Sequence, residues 1–213
     1  MADNWNKDII YMDLLDCLSH GISVSNLTYL TAKKMNLEED ICYELAIAGL
    51  LHDIGKLKLS SYLYGRMSKG MMIEEMQYMR KHPVFGYNIL KQYDYSDRIL
   101  EAVLYHHESC DGSGYPENRK KEEIPLGAKI IRVADTFSAL ISERPYRGAF
   151  DPDTAMKIII ESIEEYDMQI FLAFQKVIHD DGVLEKIQSN NLFINIDLHD
   201  LIQKDFVKEE LPD

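Results

Sequence analysis

Positive charge is scarce in this chain: 23 Lys and Arg stand against 36 Asp and Glu, a formal net charge of −13. That excludes a broad basic footprint for duplex nucleic acid. It does not exclude a small anionic ligand, because bound cations or a few arginines can supply local positive charge. Cysteine is scarce too. Cys17, Cys42 and Cys110 are the three present, with no C-x-x-C pair. A disulfide framework is therefore excluded, and a reducing, cytoplasmic setting is expected. Hydrophobic runs stop well short of the ~20 residues of a membrane span, so no membrane association is expected. The opening MADNWNKDII lacks the basic-then-apolar order of a secretory signal. The few residues before His20 are expected to leave no room for a sensor, receiver or membrane domain. Regulation is then expected from a separate protein, from the C-terminal segment, or from metal and redox state. Internal repeats, low-complexity tracts and domain-splitting linkers are also absent.

What is present is helical periodicity. Between about residues 5 and 35, apolar side chains recur three and four apart: Ile9, Met12, Leu15, Ile22, Leu27, Leu30. NLEED (36–40) reads as a stop followed by a new start with acids in the first turn. ICYELAIAGLLHD (41–53) is apolar on most faces and predicts a buried helix, and a loop is predicted from there to about residue 70. MIEEMQYMRKH predicts a short helix, and Pro83 suits the first turn of the next. YSDRILEAVLYHH, GAKIIRVADTFSALISE, DPDTAMKIIIESIEEY and DMQIFLAFQKVIHD predict further helices, the last of these closing the core. Asp151–Pro152 is a cap and first-turn pair. After Gly182 the pattern weakens, and NLFINIDL (191–198) reads as a short strand. The expected fold is all-α: one helical bundle over 1–180 and a helical C-terminal extension over 181–213.

The chain has seven histidines, and their placement is informative. His52 and Asp53 end an apolar helix, His82 precedes a proline, His106 and His107 are adjacent, and Asp135 interrupts the apolar run IIRVADTF. A buried carboxylate is costly unless it is paired or bound to metal. A divalent-ion cluster ligated by imidazole and carboxylate answers both buried acids at once. An Asp can also span two ions, one through each oxygen. Each signal alone is weak, since a single His on an apolar face is usually a hydrogen-bonded core residue. Their joint occurrence on separate helices favours a metal site. His179 and His199 fall outside this set and read as surface residues. Cys110 reads as a small loop residue more readily than as a ligand.

The segments LLHDIGK (50–56), KHPVFGYNIL (81–90), HHESCDGSGYP (106–116), VADTFSAL (133–140) and RPYR (144–147) resemble the HD-GYP domain family, a branch of the HD-domain metal-dependent phosphohydrolases. The resemblance runs from about residue 15 to 175. It implies an all-helical fold, a centre of two or three divalent ions (iron or manganese) and hydrolysis of a cyclic dinucleotide, cyclic di-GMP above all. Carried over by motif, the implied ligands are His20, His52, Asp53, His82, His106, His107 and Asp135, with Asp53 as the bridge. Asp16, one turn before His20, stands where some members carry a Glu for a third ion. Lys56 is implied to meet phosphoryl charge beside Asp53. Gly114, Tyr115 and Pro116, with Arg144 and Arg147, are implied on the substrate side. The Gly-Tyr-Pro loop is also a candidate surface for a separate signalling or diguanylate cyclase protein.

Two departures stand out. Ser109 and Cys110 occupy places where the family often has Arg-Trp, and Ser138 replaces a position that is commonly charged. These leave open a weakly active or inactive ligand-binding module, and a substrate other than cyclic di-GMP, such as cyclic GMP-AMP.

Overall fold

The structure is a computed structural model that describes residues 2–58, 77–143 and 147–188, with side chains over 18–187 of these. Among the described residues the architecture is all-α. The helices run α1 (Ala2–Lys34), α2 (Glu39–Leu51), α3 (His82–Leu90), α4 (Asp97–Tyr105), α5 (Leu126–Ile141), α6 (Pro152–Glu161), α7 (Met168–Ile178) and α8 (Val183–Gln188). Short 3₁₀ turns at Lys121–Glu123 and Ile163–Glu165 lie between them.

Local chemistry sets the helix starts. Ser96 caps α4 by accepting from the Ile99 N–H, and Asp151 caps α6 through Thr154. Asp167 caps α7 through Gln169 and Ile170. Each cap satisfies first-turn N–H groups that have no helical partner.

α1 is central, packing against α2, α5, α7 and α8. Its inner face carries Val24 and Leu27 but also fully buried Ser25, Thr28 and Thr31. These small polar residues let α2 come close: Ser25 Oγ donates to the Ala46 carbonyl at 2.8 Å, and Thr31 bonds back to Leu27 O. α5 buries Ile130, Ile131, Val133, Ala134 and Phe137, and Phe137 meets Phe174 of α7 edge-on at 5.3 Å.

The bundle does not close at α7. Gly182 turns the chain at a φ of +72°, and α8 then seats Ile187, 2% exposed, in the main core. The strand read at 191–198 lies outside the described residues.

Candidate metal centre

Helix ends deliver most of the polar cluster. His52 is the C-cap of α2 and Asp53 follows it. His82 is the first residue of α3. His106 is the C-cap of α4, with His107 next in the turn. The sides of α1 and α5 contribute His20 and Asp135. Gly55 makes this convergence possible: a Cβ there would lie 2.0 Å from the His82 carbonyl, so only glycine lets the His52–Asp53 turn press against the start of α3.

Three imidazoles are aimed by the main chain. His52 Nδ1 donates to Gly49 O at 2.8 Å, His82 Nδ1 to Met79 O at 2.8 Å, and His106 Nδ1 to Val103 O at 2.6 Å. Each carbonyl lies three residues earlier, so one bond both occupies that carbonyl and fixes the tautomer of the neutral ring, in which Nε2 is a lone pair. His82 Nε2 and His106 Nε2 then face each other at 3.2 Å. Two lone pairs at that distance repel unless a cation lies between them.

The carboxylates complete the pattern. Asp53 Oδ1 is 3.2 Å from His82 Nε2, while Oδ2 is 3.3 Å from His52 Nε2. One Asp53 oxygen thus faces each half of the cluster. Asp135 Oδ1 lies 2.9 Å from His20 Nε2 and 3.7 Å from His52 Nε2. Lys56 Nζ sits 2.5 Å from Asp53 Oδ2. Three ligand groups emerge with their donor atoms within 4.8 Å of one another: His82–His106–His107, His20–His52–Asp135, and His52–Asp53–His106. His52 Nε2 and Asp53 Oδ1 are buried without a hydrogen-bond partner. Orphaned buried atoms of ligand type fit divalent ions.

The electrostatics of the His82–His106–His107 group agree. Burial, and the neighbouring imidazoles after it, push His106 well below its usual pKa. Burial likewise takes His82 down to about 4 and His107 to about 3, the nearby carboxylates only partly offsetting it. All three are neutral at pH 7, as ligands must be. His52 differs: burial would depress it too, but the adjacent Asp53 and Asp135 carboxylates outweigh it and raise that ring to about 10, so an ion binding there must displace a proton. Burial would raise the two carboxyls, yet His52 and Lys56 hold Asp53 well below its usual value, and His20 and His52 do the same for Asp135.

The Gly-Tyr-Pro loop walls the centre. Tyr115 stacks on His107 at 4.7 Å and 20°, and its N–H donates to His107 O at 3.1 Å. Arg80 lies over the outer face of Tyr115. Gly114 is packed so tightly that a Cβ would fall 2.3 Å from Ser109 N. Glu108, 1% exposed, accepts from the Glu117 and Arg119 N–H groups and pins the loop. Glu108 lies outside the set of implied site residues, and its place directly after the His doublet is its sequence signal. Ser138 enters the sequence pattern only as a departure from the family. Ser138 is fully buried, with Oγ 3.1 Å from His20 Nδ1.

Of the other residues singled out in the sequence, Arg147 donates to the Leu140 and Ala139 carbonyls at the end of α5 and lies over Phe150. Cys110 is half-buried, and no ligand group among the described residues includes it. His179 is exposed and bonds Gln175 O. The Asp16 side chain, Arg144 and His199 lie outside what the structure describes. No helix among the described residues is long and apolar enough to cross a membrane.

Comparison with known proteins gives the arrangement its relatives. The HD domain family model matches residues 4–170. A cyclic di-GMP phosphodiesterase of Pseudomonas aeruginosa is 31% identical over 183 residues, 84% of this chain and 44% of that protein. A 3′3′-cGAMP-specific phosphodiesterase of Vibrio cholerae is 33% identical over 161 residues, 75% of this chain and 35% of that protein. A crystal structure of a cyclic GMP-AMP-specific phosphodiesterase from V. cholerae superposes with a TM-score of 0.62 at 17% identity, covering 79% of this chain and 46% of that one. The chain thus spans less than half the length of these relatives.

Proposed function

The chain belongs to the HD domain family, in the branch that carries a Gly-Tyr-Pro loop, and from that premise we propose that it is a metal-dependent phosphodiesterase hydrolysing a cyclic dinucleotide, cyclic di-GMP first. The observation that carries the reading is the pair of facing ligand triads with an Asp53 oxygen directed at each. His82, His106 and His107 would hold one ion, His20, His52 and Asp135 a second, and Asp53 would bridge them. We take the ions to be iron or manganese, with Asp16 assigned to a third by the family resemblance. Bound divalent ions supply Lewis acidity, lowering the pKa of water and neutralising phosphate charge.

The chain's own residues do the rest. Lys56, held at Asp53, presents a fixed positive charge where the phosphoryl oxygens gain negative charge. Tyr115, stacked on His107, closes one wall and excludes water beside the reacting phosphate. Gly114 lets the loop lie against the His doublet, and the family resemblance assigns Arg144 and Arg147 to the substrate. The product is the linear dinucleotide, which can be cut again to the mononucleotide. The reaction belongs in the cytoplasm, and the Gly-Tyr-Pro loop is the surface offered to a signalling or diguanylate cyclase partner.

The named specificity of the V. cholerae relative favours cyclic GMP-AMP as the second candidate substrate. The test is metal analysis of the purified chain beside hydrolysis of a panel of cyclic and linear nucleotides with added manganese. Linear dinucleotide from cyclic di-GMP, lost in Asp53→Ala along with bound metal, is the expected result. Tight binding of a cyclic dinucleotide without a linear product would make the domain a ligand-responsive module instead.

A further inference from the structure

The two halves of the centre are not built alike. In one half, His82 and His106 have Nδ1 committed to main-chain carbonyls, so Nε2 is already a lone pair. In the other half, His52 is set in the same way, through Gly49 O, but His20 is held at both ring nitrogens by residues one turn apart on α5: Asp135 at Nε2, 2.9 Å, and Ser138 at Nδ1, 3.1 Å. A carboxylate only accepts, so in the neutral ring this geometry places N–H on Nε2 and has Nδ1 accept from the Ser138 hydroxyl. Binding an ion through Nε2 needs the opposite tautomer, with Nδ1 donating to Ser138. A hydroxyl can serve in either sense, whereas a main-chain carbonyl only accepts.

Two more observations fall on the same side. The ion must displace the His20–Asp135 hydrogen bond. The Asp53 oxygen facing this half, Oδ2, is also the one paired with Lys56. The opposite half offers facing lone pairs that a cation relieves, and three imidazoles suited to a transition metal.

We propose that the His20–His52–Asp135 half is the weaker of two unequal metal sites, and that Ser138 is the positioning residue that sets its affinity. This rests on the metal-centre reading above but not on the identity of the substrate. One ion is then retained, while the other exchanges with the surrounding pool.

The test is a Mn²⁺ titration of the metal-free chain, with free Mn²⁺ followed by electron paramagnetic resonance. The wild type should fill in two steps, and His82→Ala should abolish the tighter one. Ser138→Ala should weaken only the looser step, about tenfold. Ser138→Asp, which fixes the Nδ1–H tautomer of His20, should tighten that step. Two equal steps in the wild type would overturn the inference, as would a Ser138→Ala isotherm shifted in both steps or in neither. A chain that binds no Mn²⁺ would overturn the inference and the metal-centre reading together. Two unequal steps without cyclic dinucleotide hydrolysis would uphold the inference and defeat the phosphodiesterase reading alone.

Discussion

Removing the charge at Lys56 separates electrostatics from ligation. Lys56→Gln keeps length and polarity and leaves Asp53 and the imidazoles in place, so metal content should not fall. Turnover of cyclic di-GMP should fall by ~10²–10³, the usual effect of losing one oriented transition-state contact, as measured by steady-state kinetics beside metal analysis. Gly114 tests the loop. Gly114→Ala drives a methyl into Ser109 N and Glu108 Cα, and overpacking of that kind costs ~1–3 kcal/mol. Denaturant unfolding should show that loss, and KM for the cyclic dinucleotide should rise as Tyr115 leaves His107. The motif HDIGK named Gly55 by type, but only the 2.0 Å approach to His82 O explains why no other residue serves there. Ser138 was illegible as a site residue because its partner, His20, is chosen by tertiary approach and not by local pattern; Glu108 carries a signal in its place after the His doublet, but its partners in the Glu117–Arg119 main chain are fixed only by the fold.

The helices were legible because capping and periodicity are local. Asp151–Pro152 and Asp167 declare their helices by side-chain chemistry, and the structure places a cap at each. Asp167 is 11% exposed and paired with Lys121 at 3.2 Å. Burial would raise its pKa, but the lysine and the N–H groups of Gln169 and Ile170 outweigh it, so the folded carboxyl titrates below its usual value. A lowered folded pKa gives stability that is present above the unfolded value and lost as pH falls through the folded one. Asp167→Ala should therefore cost about 1 kcal/mol at pH 7. The deficit should narrow below about pH 4, where the unfolded carboxyl begins to bind a proton, as read by urea unfolding across that range. The sequence implies a helical extension after residue 180 but does not place α8 in the core, for the converse reason. Six residues carry too few turns to show a period, and Ile187 becomes a core residue only because Gly182 folds the segment back onto α1.

At the scale of the whole molecule, the centre ties α1, α2, α3, α4 and α5 together at one point, and an unfolded chain cannot reproduce that geometry. Ions that bind only the folded state stabilise it by mass action, about 2.7 kcal/mol at a free concentration one hundred times Kd. Chelation should lower Tm by a corresponding amount, and restoring Mn²⁺ should recover it, in thermal unfolding scans at fixed protein concentration. The sequence by itself determined the residue types able to ligate metal, their order and the all-α class, because ligand chemistry, capping and hydrophobic period are properties of the chain. It could not determine which lone pairs would face one another, which Asp53 oxygen would serve which half, or that one serine would hold the first histidine. Those follow from the distances between helices, and those distances are decided only when the polar seam of α1, the Gly55 approach and the α5 core pack together.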